Sequence, residues 1–195
     1  MHMTKAERTR QFIIEKSAPI INKKGMAATS LSDIMTATKL AKGGIYGNFE
    51  NKDEICQEAF TYLAKHLSDR LDAKVAGGQT ARIKFYNLLS FYTVNDPMEG
   101  GCPILNFGVE SDDTHPLIRE KVKKEIESMQ RRIFELIRDG IQNKELSPEL
   151  NPDTFSIKTF AILESGILLK KIYGNNHQMN ILIQSVKDEF ERYLL

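Results

Sequence analysis

Three groupings in this 195-residue chain have side chains of types that do chemistry. Asp112, Asp113 and His115 stand together behind Gly100-Gly101-Cys102, and a carboxylate beside an imidazole can serve as a general base. The run Asp113-Thr114-His115-Pro116 is better explained as the start of a helix, however, and no partner is evident to orient the imidazole. An enzyme is therefore the weaker reading. Cys56, Cys102 and the four histidines (His2, His66, His115, His177) are the second grouping. Their spacing fits neither a disulfide framework nor a metal site, so neither metal nor cofactor is expected. Cys56 falls in an amphipathic pattern and reads as a small buried hydrophobe.

The third grouping is basic. Residues 1 to 52 carry nine Lys and Arg against four Asp and Glu, a net +5, and the remaining residues carry 18 against 22, a net −4. A basic quarter on an acidic body points to a polyanion at one end. Charge alone does not separate that from a solvated face, and the elements that carry the charge must decide.

Those elements read as helices nearly throughout, because apolar residues recur at three and four and period-two alternation is missing. Start signals are clear. Thr4 with Glu7 and Ser30 with Asp33 have capping-box spacing, Asn51 with Glu54 is a looser version, and Asn151-Pro152 places a cap before a first-turn proline. The expected fold is all-α with about nine helices. They cover about Thr4–Lys24, with a kink or 3₁₀ turn at Pro19; Leu31–Thr38; Lys42–Phe49; Lys52–Ala76; Thr80–Val94, stopping before Asp96-Pro97; Cys102–Ser111; Thr114–Lys144; Pro152–Tyr173; and His177–Leu194. Hydrophobic residues at 41% and charged residues at 27% suit a globular protein. No apolar run reaches the roughly 20 residues that span a bilayer, and the N-terminus lacks a signal pattern. A cytoplasmic protein without a membrane partner is expected.

The second and third helices fit a helix-turn-helix. Leu31, Ile34 and Met35 would pack the first across the second, Leu40 would anchor the turn, and Ile45 and Phe49 would bury one face. The opposite face would offer Lys42, Gly43, Gly44, Tyr46, Gly47 and Asn48 to the major groove of DNA. The run from Thr29 to Lys52, TSLSDIMTATKLAKGGIYGNFENK, resembles the DNA-binding signature of the TetR family of bacterial transcriptional regulators. The likeness extends back to Thr9-Arg10 and to the Lys23-Lys24-Gly25 that closes the first helix, and Gly100 to Asn106 looks like a segment found in some members. The resemblance implies a homodimer that grips a palindromic operator and releases it when a small molecule enters the body. It implies that Lys42, Tyr46 and Lys52 hold phosphates, that Thr29 and Ser30 sit against the DNA backbone, and that Gly43, Gly44, Gly47 and Asn48 face the groove. Residues 4–50 would form the DNA-binding domain and 51–195 the ligand-binding and dimerisation domain.

Two positions depart from the family pattern. Lys39 stands where the turn usually has glycine, and a left-handed lysine there costs roughly 1 kcal/mol. Gly47 replaces a position often longer and polar, and three glycines in one short helix each cost roughly 1 kcal/mol against alanine. Their backbone can in return approach bases closely, and Asn48, Lys42 and DNA shape are left to select sequence. In the body, the last two helices are apolar on more than one side, which argues for dimerisation through helices 8 and 9 as a four-helix bundle, with Ser165-Gly166 at a close crossing. A ligand pocket is expected between helices 4 and 8, lined by His66, Phe91, Tyr92, Cys102, Asn106, Phe107, Glu110, Phe134 and Glu164. Helix 4 would be the lever from pocket to DNA. Alternatives are an activator or ligand-independent regulator, or a module whose Gly43–Asn48 face binds protein.

Overall fold

The structure is a computed structural model that describes residues 3–93 and 100–195. Among the described residues there are nine α-helices: α1 Lys5–Lys24, α2 Leu31–Thr38, α3 Lys42–Tyr46, α4 Lys52–Ala76, α5 Ala81–Thr93, α6 Pro103–Ser111, α7 Pro116–Gln142, α8 Pro152–Tyr173 and α9 His177–Glu191. The single β feature among them is an isolated bridge between Leu146 and Leu194. None of these helices is long and apolar enough to cross a membrane.

Local chemistry sets most boundaries. Thr4 caps α1 with the reciprocal capping box expected with Glu7, and Gly25 at φ +93° ends the helix. Helix α1 runs unbroken through Pro19, so no 3₁₀ turn forms there; the helix forgoes the one bond whose donor proline lacks. Asn151 caps α8, Pro152 takes its first position, and Gly174 closes it in the left-handed region. The expectation that α3 reaches Phe49 is corrected: it stops at Tyr46 and Gly47-Asn48 form a turn. Helices α7 and α9 also end slightly short of expectation, at Gln142 rather than about Lys144 and at Glu191 rather than Leu194. Val94, the expected end of α5, and the Asp96-Pro97 stop lie outside the described residues, as does His2.

The chain divides into two compact units, Met1–Leu67 with Pro97–Lys123 and Ser68–Asp96 with Lys124–Leu195. The first unit contains α1, α2, α3 and α6 and the start of α4. Its core includes Ile13, Ile21, Ile34, Ile45, Phe49 and Ile55, with Phe60 and Phe107 at a ring-centroid distance of 5.2 Å. The second unit contains α5, α8 and α9. Phe85 lies 4.4 Å from Phe190 and 5.5 Å from Phe155, an aromatic centre that ties these three helices together. At the α8–α9 crossing a Cβ on Gly166 would come within 2.6 Å of the Met179 sulfur, so any larger residue there would displace the Met179 side chain.

Candidate nucleic-acid interface

Helix α2 enters the site under local control. Ser30 Oγ accepts from the Asp33 amide at 3.1 Å and the Ser30 amide returns a bond to Asp33 Oδ2 at 2.9 Å. Lys24 donates to the same carboxylate at 2.6 Å and so ties the end of α1 to the start of α2. These bonds, Lys24 first, hold the Asp33 carboxyl down at about 2. Lys39 ends α2 at φ 58°, ψ 23°, the left-handed conformation that its place in the turn requires. The chain then passes through Leu40 into α3.

Helix α3 has little of its own to hold it. Five residues long, it begins at Ala41 without a side-chain cap. Ile45 at 0% exposure and Phe49 at 2% fasten it from below. Above, Lys42, Gly43, Gly44, Tyr46 and Gly47 are all exposed. The Lys42 ammonium lies 5.8 Å from the centre of the Tyr46 ring, one turn along the same face. A Cβ on Gly43 would meet nothing within 4 Å, and one on Gly44 would touch only the Leu40 side chain, at 3.6 Å. Nothing within the fold asks for glycine at position 43.

The remaining residues read from the sequence as DNA ligands have mixed placements. Thr29 is buried, and Gly25 O accepts both its hydroxyl, at 2.7 Å, and its amide, at 3.1 Å. Its side chain is therefore withdrawn as a DNA contact. Ser30 stays exposed at the head of α2, with its hydroxyl in the cap. The Asn48 amide folds back to donate to Gly44 O at 2.8 Å, which closes the last turn of α3. Lys52 reaches inward, donating to Met26 O at 2.9 Å and Thr29 O at 3.1 Å. An ammonium has three donors, and two of these hold the α1–α2 corner in place.

Arg10 organises this site, and sequence reasoning gave it no role. Its guanidinium donates to Asn48 O and to Glu54 Oε1, each at 2.6 Å, and lies 4.2 Å over the Phe49 ring. One side chain thus clamps the end of α3 to α1 and α4. The Thr9-Arg10 pair stood within the family resemblance, but nothing local reveals partners 38 and 44 residues away.

The nine expected pocket residues divide between the units. In the first, Glu110 accepts the Met26 amide at 2.5 Å and the Ala27 amide at 3.3 Å. A Cβ on Gly25 would lie 1.9 Å from its carboxylate, so this contact needs both the glycine and its positive φ. Asn106 donates to Asn22 O and Oδ1 at 3.0 Å, and Asn22 donates to Gly101 O at 2.9 Å. Cys102 is the buried N-cap position of α6, Phe107 is buried on Phe60, and His66 is exposed beside Tyr62. Asn106 and Glu110 thereby join α6 to the end of α1. In the second unit, Phe91 lies edge-on to Tyr92 at 5.4 Å with Arg70 5.3 Å over its ring. Phe134 lines an open hollow of about 370 Å³ with Arg131, Arg138 and Ile157, and Glu164 is half-buried on α8. Cys56 is buried and burial pushes its thiol up to about 11, as befits a core residue. His115 faces Asp53, with Nε2 at 3.8 Å, rather than the neighbouring Asp112 and Asp113.

Residues 13–59 match the family model described as bacterial regulatory proteins, tetR family, and residues 81–186 match the tetracyclin repressor-like C-terminal domain. The chain is 26% identical over 173 residues to the transcriptional regulator AcuR of Cereibacter sphaeroides, covering 86% of this chain and 78% of that protein. It superposes with a TM-score of 0.92 on the crystal structure of a TetR-family regulator from Cytophaga hutchinsonii, at 37% identity, covering 100% of this chain and 99% of the other. A TetR regulator from Chloroflexus aurantiacus gives the same TM-score at 32% identity, covering 98% of each chain. The family is one of DNA-binding regulators, not of enzymes. A helix-turn-helix in the first unit, two family models that between them take in most of the chain, and full-length likeness above 30% identity agree: the chain belongs to the TetR family of transcriptional regulators.

Proposed function

We propose that this regulator is a homodimeric repressor that docks α3 of each subunit in the major groove of a palindromic operator and leaves it when a small molecule occupies the body. Residues 4–50 form the DNA-binding domain, with Lys52 adding a contact from the start of α4, and 51–195 carry dimerisation and effector binding. The observation that supports groove docking most directly is Gly43. The site is open, α3 would be more stable with alanine there, and the glycine therefore answers to something outside the chain. Close approach by a nucleic-acid backbone or base edge supplies that demand. Lys42 and Tyr46 flank the bare strip and hold phosphates, together with the third donor of Lys52. Ser30 meets the DNA backbone at the head of α2. Gly44, Gly47 and the backbone around Asn48 complete the surface.

Dimerisation is supported by the surplus apolar surface of α8 and α9. Leu168, Ile172, Tyr173 and Ile181 are between 45% and 72% exposed although the same helices bury Phe155, Leu163, Ile183 and Phe190. A two-fold axis through these helices sets two α3 helices about 34–36 Å apart, one DNA turn. The effector acts by favouring a different spacing, with α4 as the lever: α4 contributes residues to both compact units. A tenfold loss of operator affinity needs about 1.4 kcal/mol of differential binding. The test is selection of bound duplexes from a random pool. A recovered two-fold symmetric site, bound with a steep salt dependence, supports the reading; no enriched sequence at any salt concentration contradicts it.

A further inference from the structure

Helix α1 carries a surface that the family resemblance did not assign. Lys5, Arg8, Thr9 and Phe12, with Leu40 of the helix-turn-helix turn, surround an open hollow of about 430 Å³. Phe12 is 37% exposed, and the Lys16 ammonium lies 6.0 Å from its ring centre. Positions 5, 8, 9, 12 and 16 share one side of the helix, turned away from the buried Ile14, Ala18 and Ile21. That side has three cations and no carboxylate. The acids of α1 are engaged elsewhere: Glu7 folds back on Thr4, and Glu15 accepts from Gln11. Lys5 and Arg8 are exposed, and no ion pair among the described residues involves either. The amide end of α1 is closed by its own capping box, so the surface acts through side chains.

We propose that this face of α1 is a second DNA contact, gripping the sugar-phosphate strand that flanks the segment docked on α3. The inference rests on the DNA-docking reading above. A sugar-phosphate strand alternates apolar deoxyribose faces with charged phosphates, and the hollow offers that alternation in reverse: Phe12 and Leu40 as the apolar floor, Lys5 and Arg8 as the charged rim. Continuity decides in favour of DNA over a protein partner. Leu40 belongs both to the hollow and to the turn that leads into Lys42, so a duplex seated on α3 runs on toward α1.

The experiment compares the full-length wild-type chain with Lys5→Gln/Arg8→Gln and with the charge reversal Lys5→Glu/Arg8→Glu. The probe is a duplex carrying the sequence that the wild-type chain selects, with long random flanks. Each lost phosphate contact lowers the slope of log affinity against log salt by about 0.9, so the neutral variant should lose about 1.8 per bound head. The reversal should weaken binding further at every salt concentration. Sequence preference and melting temperature should stay as in wild type, while the hydroxyl-radical footprint loses its outermost protected positions. Unchanged slope and footprint in both variants would overturn the α1 contact alone. A wild-type chain that selects no duplex would instead overturn the docking reading beneath it.

Discussion

Helices α3 and α8 are held by opposite means. Helix α8 has 22 residues, an asparagine cap, proline in its first turn, a left-handed glycine at its end and a buried face that includes Phe155, Phe160 and Leu163. Every local device agrees with the packing. Helix α3 has five residues, no side-chain cap and two internal glycines, and it is helical because Ile45 and Phe49 are buried and Arg10 clamps its exit. Where a helix serves the core, local preference and packing coincide. Where, as proposed for α3, it serves a nucleic acid, preference is sacrificed and the frame around it makes good the loss.

That contrast can be tested by dismantling each support in turn. Phe49→Ala should have the largest effect, about 3–5 kcal/mol of destabilisation, since it opens a core cavity and removes the ring under Arg10. DNA binding should vanish with it, and thermal unfolding read beside a binding assay shows both losses. Glu110→Ala comes next. It leaves the Met26 and Ala27 amides without their acceptor, at about 1–3 kcal/mol, and Glu110→Gln should recover part of this. Chemical denaturation of the three proteins ranks them. Asn151→Ala should cost about 1 kcal/mol while operator affinity stays at the wild-type value, because α8 carries its own cap. A fall in affinity at fixed folded concentration would show that the two regions are less separable than the contrast holds.

The smallest expected effect is in pH. Asp33 is held near 2 in the folded chain and titrates near 3.9 when unfolded. A depressed carboxyl contributes stability that is complete above the unfolded value and lost as pH falls through the folded one. Wild type should therefore lose stability between about pH 4 and pH 2 more steeply than Asp33→Asn, as denaturation midpoints across that range would show.

The helices were legible in the sequence to the extent that their chemistry is local. Thr4 with Glu7 and Ser30 with Asp33 act across three residues, and periodicity places Ile45 and Phe49 inward. Lys39 fills the turn in the conformation its place demanded. What was hidden is non-local. Lys52 reads as a phosphate ligand alone, and that two of its three donors go to Met26 O and Thr29 O, 26 and 23 residues away, is not legible locally. Glu110 and Asn106 read as pocket residues from their place between helices 4 and 8, and nothing local shows that each bonds α1 or its turn 84 residues away. Asn48 and Thr29 turn toward their own backbone, an option open to every short polar side chain.

The central claim is that α3 is built for what lands on it, and Gly43→Ala tests this most directly. A Cβ there meets nothing within 4 Å, so the variant should be as stable as wild type or more stable, by up to about 1 kcal/mol. Its affinity for the duplex selected by the wild-type chain should nonetheless fall by roughly tenfold or more, about 1.4 kcal/mol. Greater stability with weaker DNA binding is the predicted result. A Gly43→Ala protein that binds that duplex as tightly as wild type would contradict the account.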